Sequence, residues 1–151
     1  MRIVLQRVSS ARVRISGEVR GEIGPGLLLL LGVGPSDSEE DIAWLTAKVA
    51  KLRIFPDEAG LMNRYVCDTG GGVLVVSQFT LFASTRKGTR PSFNDAASPS
   101  LAIPLYEQFL IAMESALGGK AVARGEFGAM MEVTLVNDGP VTLIIDSKER
   151  S

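Results

Sequence analysis

Histidine is absent from the 151-residue chain, and this absence limits the chemistry available to it. Hydrolases of the Ser-His-Asp or Cys-His type need a histidine base, and zinc sites of the H-E-x-x-H type need two histidines. Any catalysis must therefore come from backbone groups, hydroxyls, carboxylates, lysines or the substrate. No cluster of ligands at metal-binding spacing is visible, so we expect neither a metal ion nor another cofactor.

Cysteine, net charge and long apolar runs are also scarce. Cys67 is the single cysteine, which excludes an internal disulfide and is typical of a reducing compartment. The longest apolar run, 27–31, is far too short to cross a bilayer, and the charged N-terminus does not resemble a signal peptide. We expect a cytoplasmic protein without a membrane segment. The net charge of −1 provides no global attraction for a polyanion.

The residues that are present suffice for one domain, since 46% of the chain is hydrophobic. We therefore treat 1–151 as a single domain. Alternating or continuous apolar segments bounded by turn residues predict strands. The predicted strands are 3–8, 11–15, 19–23, 27–33, 73–79, 120–124, 130–136 and 141–145.

Two segments have the spacing of amphipathic helices. A capping box of Ser36 and Glu39 predicts the start of the first helix, and Ser98 with Pro99 predicts the start of the second, which runs through Leu117. Their apolar faces consist of Ile42, Leu45, Val49 and Leu52, and of Leu105, Phe109, Met113 and Ala116. The sequence predicts an α+β fold with a mainly antiparallel, barrel-like curled sheet and two principal helices.

The first candidate site follows the strand 73–79. Ser77, Gln78, Phe79 and Thr80 place two hydroxyls, an amide and an aromatic ring where a buried strand reaches the surface. Such polar groups either satisfy nearby backbone or face a ligand. A tight turn here would also expose the N–H groups of Phe79 and Thr80, which could form an oxyanion hole.

The second candidate site is the run Asn137-Asp138-Gly139-Pro140-Val141-Thr142. As a hairpin turn between the strands 130–136 and 141–145 it needs no further function. The Gly-Pro bond is the exception, because X-Pro is the linkage at which a cis peptide is inexpensive. A cis bond would direct two carbonyl oxygens to the same side and create a rigid pair of acceptors.

Basic residues form two local groups. A loop carries positive charge together with an aromatic ring that could stack on a nucleobase, although a solvated loop anchored by its own aromatic is the alternative interpretation. A second group lies near the N-terminus, in and next to the first two predicted strands. The loop residues are Arg86, Lys87, Arg90 and Phe93, and the N-terminal group is Arg2, Arg7, Arg12 and Arg14.

Taken together, several segments resemble the D-aminoacyl-tRNA deacylase family, and they occur in the family's order from residue 6 to residue 142. The Ser-Gln-Phe-Thr and Gly-Pro-Val-Thr motifs are diagnostic when both are present at this separation. The matching segments are Gln6-Arg7-Val8, Leu52-Arg53-Ile54-Phe55, Met62-Asn63, Val76-Ser77-Gln78-Phe79-Thr80-Leu81, Lys87-Gly88-Thr89-Arg90-Pro91-Ser92-Phe93, Tyr106-Glu107, Gly125-Glu126-Phe127-Gly128-Ala129-Met130 and Asn137-Asp138-Gly139-Pro140-Val141-Thr142.

The resemblance implies a homodimer that hydrolyses the ester between a D-amino acid, and by hypothesis glycine, and the 3′-terminal adenosine of tRNA. Such proofreading recycles tRNA and spares L-aminoacyl-tRNA. It implies that Gly139-Pro140 is cis and enters the partner's site. The implied catalytic residues are Ser77, Gln78, Phe79 and Thr80; the chiral filter is Gly139, Pro140, Asn137, Val141, Thr142 and Met130; and supporting or tRNA-contacting residues are Arg7, Arg86, Lys87, Arg90 and Phe93.

The mechanism and the function class have alternatives. Thr80 or Ser77 could be a nucleophile, but no base for either is evident; assistance from the tRNA 2′-OH, with backbone N–H groups stabilising the oxyanion, is the route we favour. A nucleic-acid-binding module without catalysis is one rival function. A hydrolase for other acyl esters on the same scaffold is another, since fold does not fix function.

Overall fold

A computed structural model describes residues 1–150, and in these residues a six-stranded mixed sheet and a two-stranded hairpin accompany two long helices. None of the helices in this range is long and apolar enough to span a membrane. The strands are β1 (Arg2–Ile15), β2 (Glu18–Ile23), β3 (Gly26–Gly32), β4 (Phe55–Pro56), β5 (Met62–Arg64), β6 (Gly72–Ser77), β7 (Ala123–Arg124) and β8 (Glu132–Asp146). The helices are α1 (Glu39–Lys51), the short α2 (Val66–Thr69), a 3-10 helix (Phe79–Phe82) and α3 (Pro99–Ala116).

The large sheet has the order β2-β1-β3-β6-β7, and β8 pairs along almost the whole of β1. The pairs that β1 makes with β2, β3 and β8 are antiparallel, whereas β3–β6 and β6–β7 are parallel. The sheet curls until β2 meets β7. A methyl group on Gly21 would lie only 2.7 Å from the Arg124 carbonyl oxygen, so only glycine fits at this closure. The predicted α+β fold with a curled, mainly antiparallel sheet is confirmed.

Strand β1 is continuous, although the sequence predicted separate strands at 3–8 and 11–15. Val8 pairs with Asn137 and Ser10 with Val136, so Ser9 is an extra residue opposite no partner. This β-bulge bends the strand without ending it. Because both halves pair with β8, the chain stays extended through residues whose local sequence indicated a break.

The core lies mainly between the two long helices and one face of the sheet. Leu45 of α1 and Phe109 of α3 are fully buried against Leu5 and Leu29. A smaller cluster that includes Leu74 fills the opposite face. The predicted apolar faces of both helices are confirmed, with Leu52 and Ala116 only partly buried at their C-terminal ends.

The start of α1 differs from the prediction of a Ser36–Glu39 capping box. Ser38 is the N-cap, and its N–H donates to the Asp41 carboxylate at 2.9 Å. Asp37 is buried, where it accepts from the Met1 ammonium group at 2.5 Å and from the Gly34 N–H at 2.6 Å. These tertiary contacts hold Asp37 outside the helix and move the cap by two residues. The start of α3 at Ser98 and Pro99 is as predicted.

The predicted strand 120–124 is reduced to β7, two residues long. Gly118 and Gly119 both have positive φ, which turns the chain after α3, and the Lys120 ammonium group donates to the Gly70 and Gly71 carbonyls at 2.6 and 2.9 Å. Lys120 therefore binds a neighbouring loop and does not extend the ladder.

Candidate functional site

The chain turns sharply at the end of β6. The Gln78 N–H still donates to the Leu31 carbonyl at 2.7 Å, after which residues Phe79–Phe82 form the 3-10 helix. The Gln78 side-chain amide donates to the Thr80 hydroxyl, so these two side chains engage each other. The N–H groups of Phe79 and Thr80 begin the helix, where backbone donors have no intrahelical acceptor.

A pocket of about 270 Å³ opens beside this turn. It contains three of the four residues of the first candidate site, Ser77, Gln78 and Phe79, together with Met130, which is 91% exposed at its mouth. Thr80 lies outside the lining. The lining residues are Val76, Ser77, Gln78, Phe79, Phe127, Gly128, Ala129, Met130, Met131 and Val133. This set carries no ionisable side chain, so no protein base faces the pocket.

The basic loop is attached to the same turn. Phe93 packs edge-on against Phe79 with ring centroids 5.2 Å apart, and the backbones of Ser84 and Ser92 exchange hydrogen bonds of 2.8 and 2.9 Å. Between them a concavity of about 270 Å³ is lined by Ser84, Arg86, Lys87, Arg90, Ser92 and Asn94. The loop thus presents three cations around its own concavity and is joined to the pocket residue Phe79 through Phe93. Its aromatic ring contacts Phe79 while remaining partly exposed.

The second candidate site is a large bulge within β8. The prediction of a hairpin turn between two strands is therefore wrong. Asn137 pairs with Val8 and Thr142 with Gln6, so residues 138–141 lie opposite Arg7 alone and β8 continues on both sides. The Asn137 side-chain amide donates to the carbonyls of Arg7 and Val141 at 3.0 and 3.1 Å. We refer to residues 138–141 as the β8 bulge. The amide closes its base, which is why the turn-forming sequence does not reverse the chain.

The Gly139-Pro140 peptide bond within the bulge is cis, as the resemblance implied. Gly139 has φ of 122°, and a methyl group there would lie 2.9 Å from Val141 Cγ2 and 3.0 Å from Arg7 Nη2. Glycine is therefore required at this position by both backbone conformation and space.

Arg7 supports the bulge from beneath. Its Nη1 donates to the Ile54 carbonyl at 2.6 Å, and its Nε lies 3.1 Å from Asp138 Oδ2 in an ion pair that is not aligned as a hydrogen bond. Only 11% of its side chain is exposed. Of the two roles that the sequence left open for Arg7, the geometry favours support of the bulge over contact with tRNA.

The pocket and the bulge do not meet within one chain. None of residues 137–142 lines the pocket, whereas Gly139 and Pro140 are exposed. The bulge lies on a strand whose outward residues include Val136, 56% exposed, and Ile144, 74% exposed. The sequence did not indicate Met131 and Val133 as pocket residues, and it did not reveal the bridging role of the Asn137 amide, which depends on pairing with β1.

Tyr106 and Glu126, which adjoin Phe127 of the pocket lining, do not supply a free base. Burial raises the pKa of the Tyr106 hydroxyl to about 12, and the ring packs behind the pocket with its centroid 5.7 Å from that of Phe127. Glu126 lies 3.5 Å from Arg20 in an exposed ion pair. Among residues 1–150 no three His, Cys, Asp or Glu side chains converge as metal ligands.

Comparisons with known proteins match the whole chain. The family model described as D-Tyr-tRNA(Tyr) deacylase matches residues 4–146. A D-aminoacyl-tRNA deacylase of Opitutus terrae is 63% identical over 150 residues, covering 99% of both chains. The solved structure of a c-Myc DNA unwinding element binding protein is 36% identical, with a TM-score of 0.91 over 97% of this chain and 98% of that one. A probable eukaryotic D-amino acid tRNA deacylase, 16% identical with a TM-score of 0.81 over 95% and 97%, shares the fold.

Proposed function

The chain belongs to the D-Tyr-tRNA(Tyr) deacylase family, and on this premise we propose that it hydrolyses the ester between a D-amino acid and the 3′-terminal adenosine of tRNA. The pocket beside Ser77, Gln78 and Phe79 carries the proposal, because it offers a hydroxyl, an amide and an aromatic ring without a charged side chain. This surface suits a neutral ester and the adenosine next to it. The reaction is a chiral proofreading step in the cytoplasm, carried out by residues 1–151 as one domain.

The decisive assay compares D-Tyr-tRNA and L-Tyr-tRNA at matched enzyme concentration. Rapid loss of the D ester while the L ester persists supports the proposal. Cleavage of neither ester by folded protein that still binds tRNA in a salt-sensitive manner would support the rival binding module. Turnover of small acyl esters alone would support the other hydrolase. Gly-tRNA belongs in the same series, since glycine has no side chain for a chiral filter to exclude.

The substrate's vicinal 2′-OH assists the attack of water in the mechanism that we propose. The N–H groups of Phe79 and Thr80 stabilise the oxyanion, and one such donor contributes about 3 kcal/mol to transition-state binding in hydrolases. Nucleophilic routes through Ser77 or Thr80 lack a base, because the pocket has no ionisable lining and the Thr80 hydroxyl accepts a hydrogen bond from Gln78.

Two variants and one substrate separate these routes. We expect Ser77→Ala and Thr80→Ala to retain substantial activity, since their backbone N–H groups and those of their neighbours remain. An ester of 2′-deoxyadenosine-terminated tRNA should be cleaved far more slowly. Loss of activity in folded, tRNA-binding Thr80→Ala would favour the nucleophile, and normal turnover of the deoxy substrate would exclude the assisted route.

The chiral filter comes from a second copy of the chain. This part of the proposal is supported by the exposure of Gly139 and Pro140, their absence from the pocket of their own chain, and the apolar surface around them. In a homodimer the β8 bulge enters the partner's pocket, with Asn137, Val141 and Thr142 at its base and Met130 at the mouth. A main-chain wall rejects an L side chain because it has no rotamer to move aside.

Mixing two variants tests this arrangement. Ala129→Phe fills the pocket but leaves the bulge intact, whereas Gly139→Ala disturbs the bulge but leaves the pocket intact. Each homodimer should hydrolyse D-Tyr-tRNA poorly, the first because its pockets are filled and the second because the altered bulge no longer positions the ester in the pocket. After co-refolding, half the dimers are mixed and each contains one intact composite site, so about a quarter of wild-type activity should return. A mixture as inactive as its parents would show that pocket and bulge act within one chain.

The basic loop positions the tRNA 3′ end. Arg86, Lys87 and Arg90 line the concavity of this loop and pair with no carboxylate of residues 1–150, so they suit phosphate groups. Phe93 contacts the pocket residue Phe79 and is partly exposed for contact with a base. Neutralising all three cations should weaken binding of tRNA at low salt more than at high salt. Equal affinity at every salt concentration would remove the loop from the binding surface.

A further inference from the structure

A second concave surface lies at the C-terminal end of α1, formed by residues that the site above does not use. It encloses about 400 Å³ and is lined by Trp44, Ala47, Lys48, Lys51, Leu52 and Arg53. We call it the α1 basic surface. We propose that it binds the sugar-phosphate backbone of the tRNA whose 3′ end occupies the partner's pocket; this inference rests on the proposed function.

The cations of this surface have no acidic partner. No carboxylate of residues 1–150 lies within 4.0 Å of the charged groups of Lys48, Lys51 or Arg53. Arg20, by contrast, is paired with Glu126. In a chain with a net charge of −1, three uncompensated positive charges around one concavity form a local anion-binding surface.

The indole of Trp44 fixes the positions of two cations. Lys48 Nζ lies 5.4 Å from the ring centroid and Arg150 Cζ lies 4.8 Å from it. With cations on the ring, it is not free to stack on a base, so the surface suits phosphates and not bases. Holding the charges in place also reduces the entropy lost when a ligand binds.

Arg53 is fixed by hydrogen bonds. Its Nε donates to the Asn63 carbonyl and its Nη2 to the Asn63 side-chain oxygen, both at 2.9 Å, while Asn63 Nδ2 donates to Asp57 at 2.7 Å. These bonds orient the guanidinium and leave Nη1 without a partner in this group. They also give the Met62-Asn63 motif a structural role, because Asn63 positions a cation of the surface.

Helix electrostatics explains only part of this surface. Lys48 and Lys51 lie in the last turn of α1, where cations interact favourably with the helix dipole. Arg53 lies beyond the C-cap Leu52, and neither its position nor the concavity follows from the dipole. The cluster is therefore larger than stability of the helix requires.

Arg7 connects this surface to the β8 bulge. Arg53 precedes Ile54, whose carbonyl accepts the Arg7 Nη1 hydrogen bond of 2.6 Å, and Arg7 also pairs with Asp138 at the base of the bulge. The chain that supplies the filter to its partner's pocket therefore also carries the α1 basic surface close to that filter. A tRNA stem that leaves the pocket would contact phosphate-binding groups from both chains.

The test measures binding of uncharged tRNA across a salt series for full-length Lys48→Gln/Lys51→Gln. The matched control is Arg20→Gln/Arg124→Gln, which removes the same charge from two exposed ion pairs on the sheet. Two lost phosphate contacts should lower the slope of log K against log salt by about 2, and weaken binding at least about tenfold near 0.1 M salt. Hydrolysis of D-tyrosyl-adenosine, which lacks a stem, should not change.

The outcomes separate this proposal from the proposed function. Loss of affinity and slope in the lysine variant, with the arginine control at wild-type values, supports the surface even if the wild-type protein cleaves no ester. Wild-type affinity and slope in the lysine variant, or equal losses in both variants, would overturn it. Lysine-dependent binding to phosphatidylglycerol vesicles without an effect on tRNA would also overturn it.

Discussion

The Asn137 side chain offers the most direct test of how the β8 bulge is held. Its amide donates to the Arg7 carbonyl on β1 at 3.0 Å and to the Val141 carbonyl at 3.1 Å, one on each side of the bulge base. Asn137→Asp keeps the shape of the side chain but removes both donors. It also places carboxylate oxygens against two carbonyl oxygens. We expect the bulge to lose its fixed position.

The magnitude follows from these two bonds. Each net hydrogen bond contributes about 1 kcal/mol, and two part-buried acceptors left unpaired next to a carboxylate add up to a similar amount, so the unfolding free energy should fall by about 2–4 kcal/mol. Because the bulge forms the proposed filter, the ratio of D-Tyr-tRNA to L-Tyr-tRNA hydrolysis should fall as well. Urea unfolding measures the first effect, and paired deacylation assays measure the second.

Thr142→Val is the matched control. The Thr142 hydroxyl lies on the exposed side of the same base and makes only long contacts of 3.3 Å with Asn137 and Gln6. Its removal should cost less than about 1 kcal/mol and lower the D/L ratio much less than Asn137→Asp does. If Asn137→Asp matched this control in both stability and D/L ratio, the amide would not hold the bulge, and the argument from its two hydrogen bonds would be refuted.

Two predictions concern stability alone. Burial acts to raise the pKa of Asp41, but hydrogen bonds from Ser147, the Ser38 N–H and Lys148 lower it from 3.8 to about 2. Because the folded-state pKa is depressed, this contribution of about 2 kcal/mol is present above pH 4 and is lost as the pH falls towards 2. The difference in unfolding free energy between wild type and Asp41→Asn, measured in urea, should therefore shrink over that pH range. A difference that stays constant would contradict the assignment. Gly21→Ala should destabilise the fold by about 3 kcal/mol or more, since its methyl group would lie 2.7 Å from the Arg124 carbonyl oxygen. An unchanged midpoint of thermal unfolding would show that the sheet opens there at little cost.

Local patterns predicted the elements whose structure depends on their own sequence. The apolar run predicted as the strand 27–33 is β3, Gly26–Gly32, which is paired on both sides, and the periodic residues of α1 and α3 face the core. The elements that the sequence described incorrectly depend on distant residues. Strand β1 continues past Ser9, and β8 continues past the Asn-Asp-Gly-Pro run, because the two strands pair along their lengths. Turn propensity is a local quantity and does not include this pairing.

The candidate site shows the same division. The polar residues at the end of β6 could be identified in the sequence, since a buried strand that ends in hydroxyl and amide groups is unusual, and two of them, Ser77 and Gln78, line the pocket. The function of Arg7 could not be identified in the sequence, because a guanidinium group considered alone suits a phosphate. Burial and the partners Ile54 and Asp138 indicate support of the bulge. The cluster at Lys48, Lys51 and Arg53 was not evident either, since it depends on how α1 ends.

Rigid neutral groups and exposed charges have separate tasks in this molecule. Rejection of an enantiomer requires a surface that does not yield, and the bulge is held by amide and backbone contacts around Asn137. An ester bond also needs no charged partner if preorganised N–H groups receive the developing negative charge. Attraction of a polyanion has the opposite requirement, because cations act over several ångströms and tolerate imprecise geometry. The chain accordingly keeps charge out of the pocket and places it on the loop at 86–90 and on the α1 basic surface. Neutralising the cations of the loop or of the α1 basic surface should therefore change tRNA affinity without changing the choice between D and L esters.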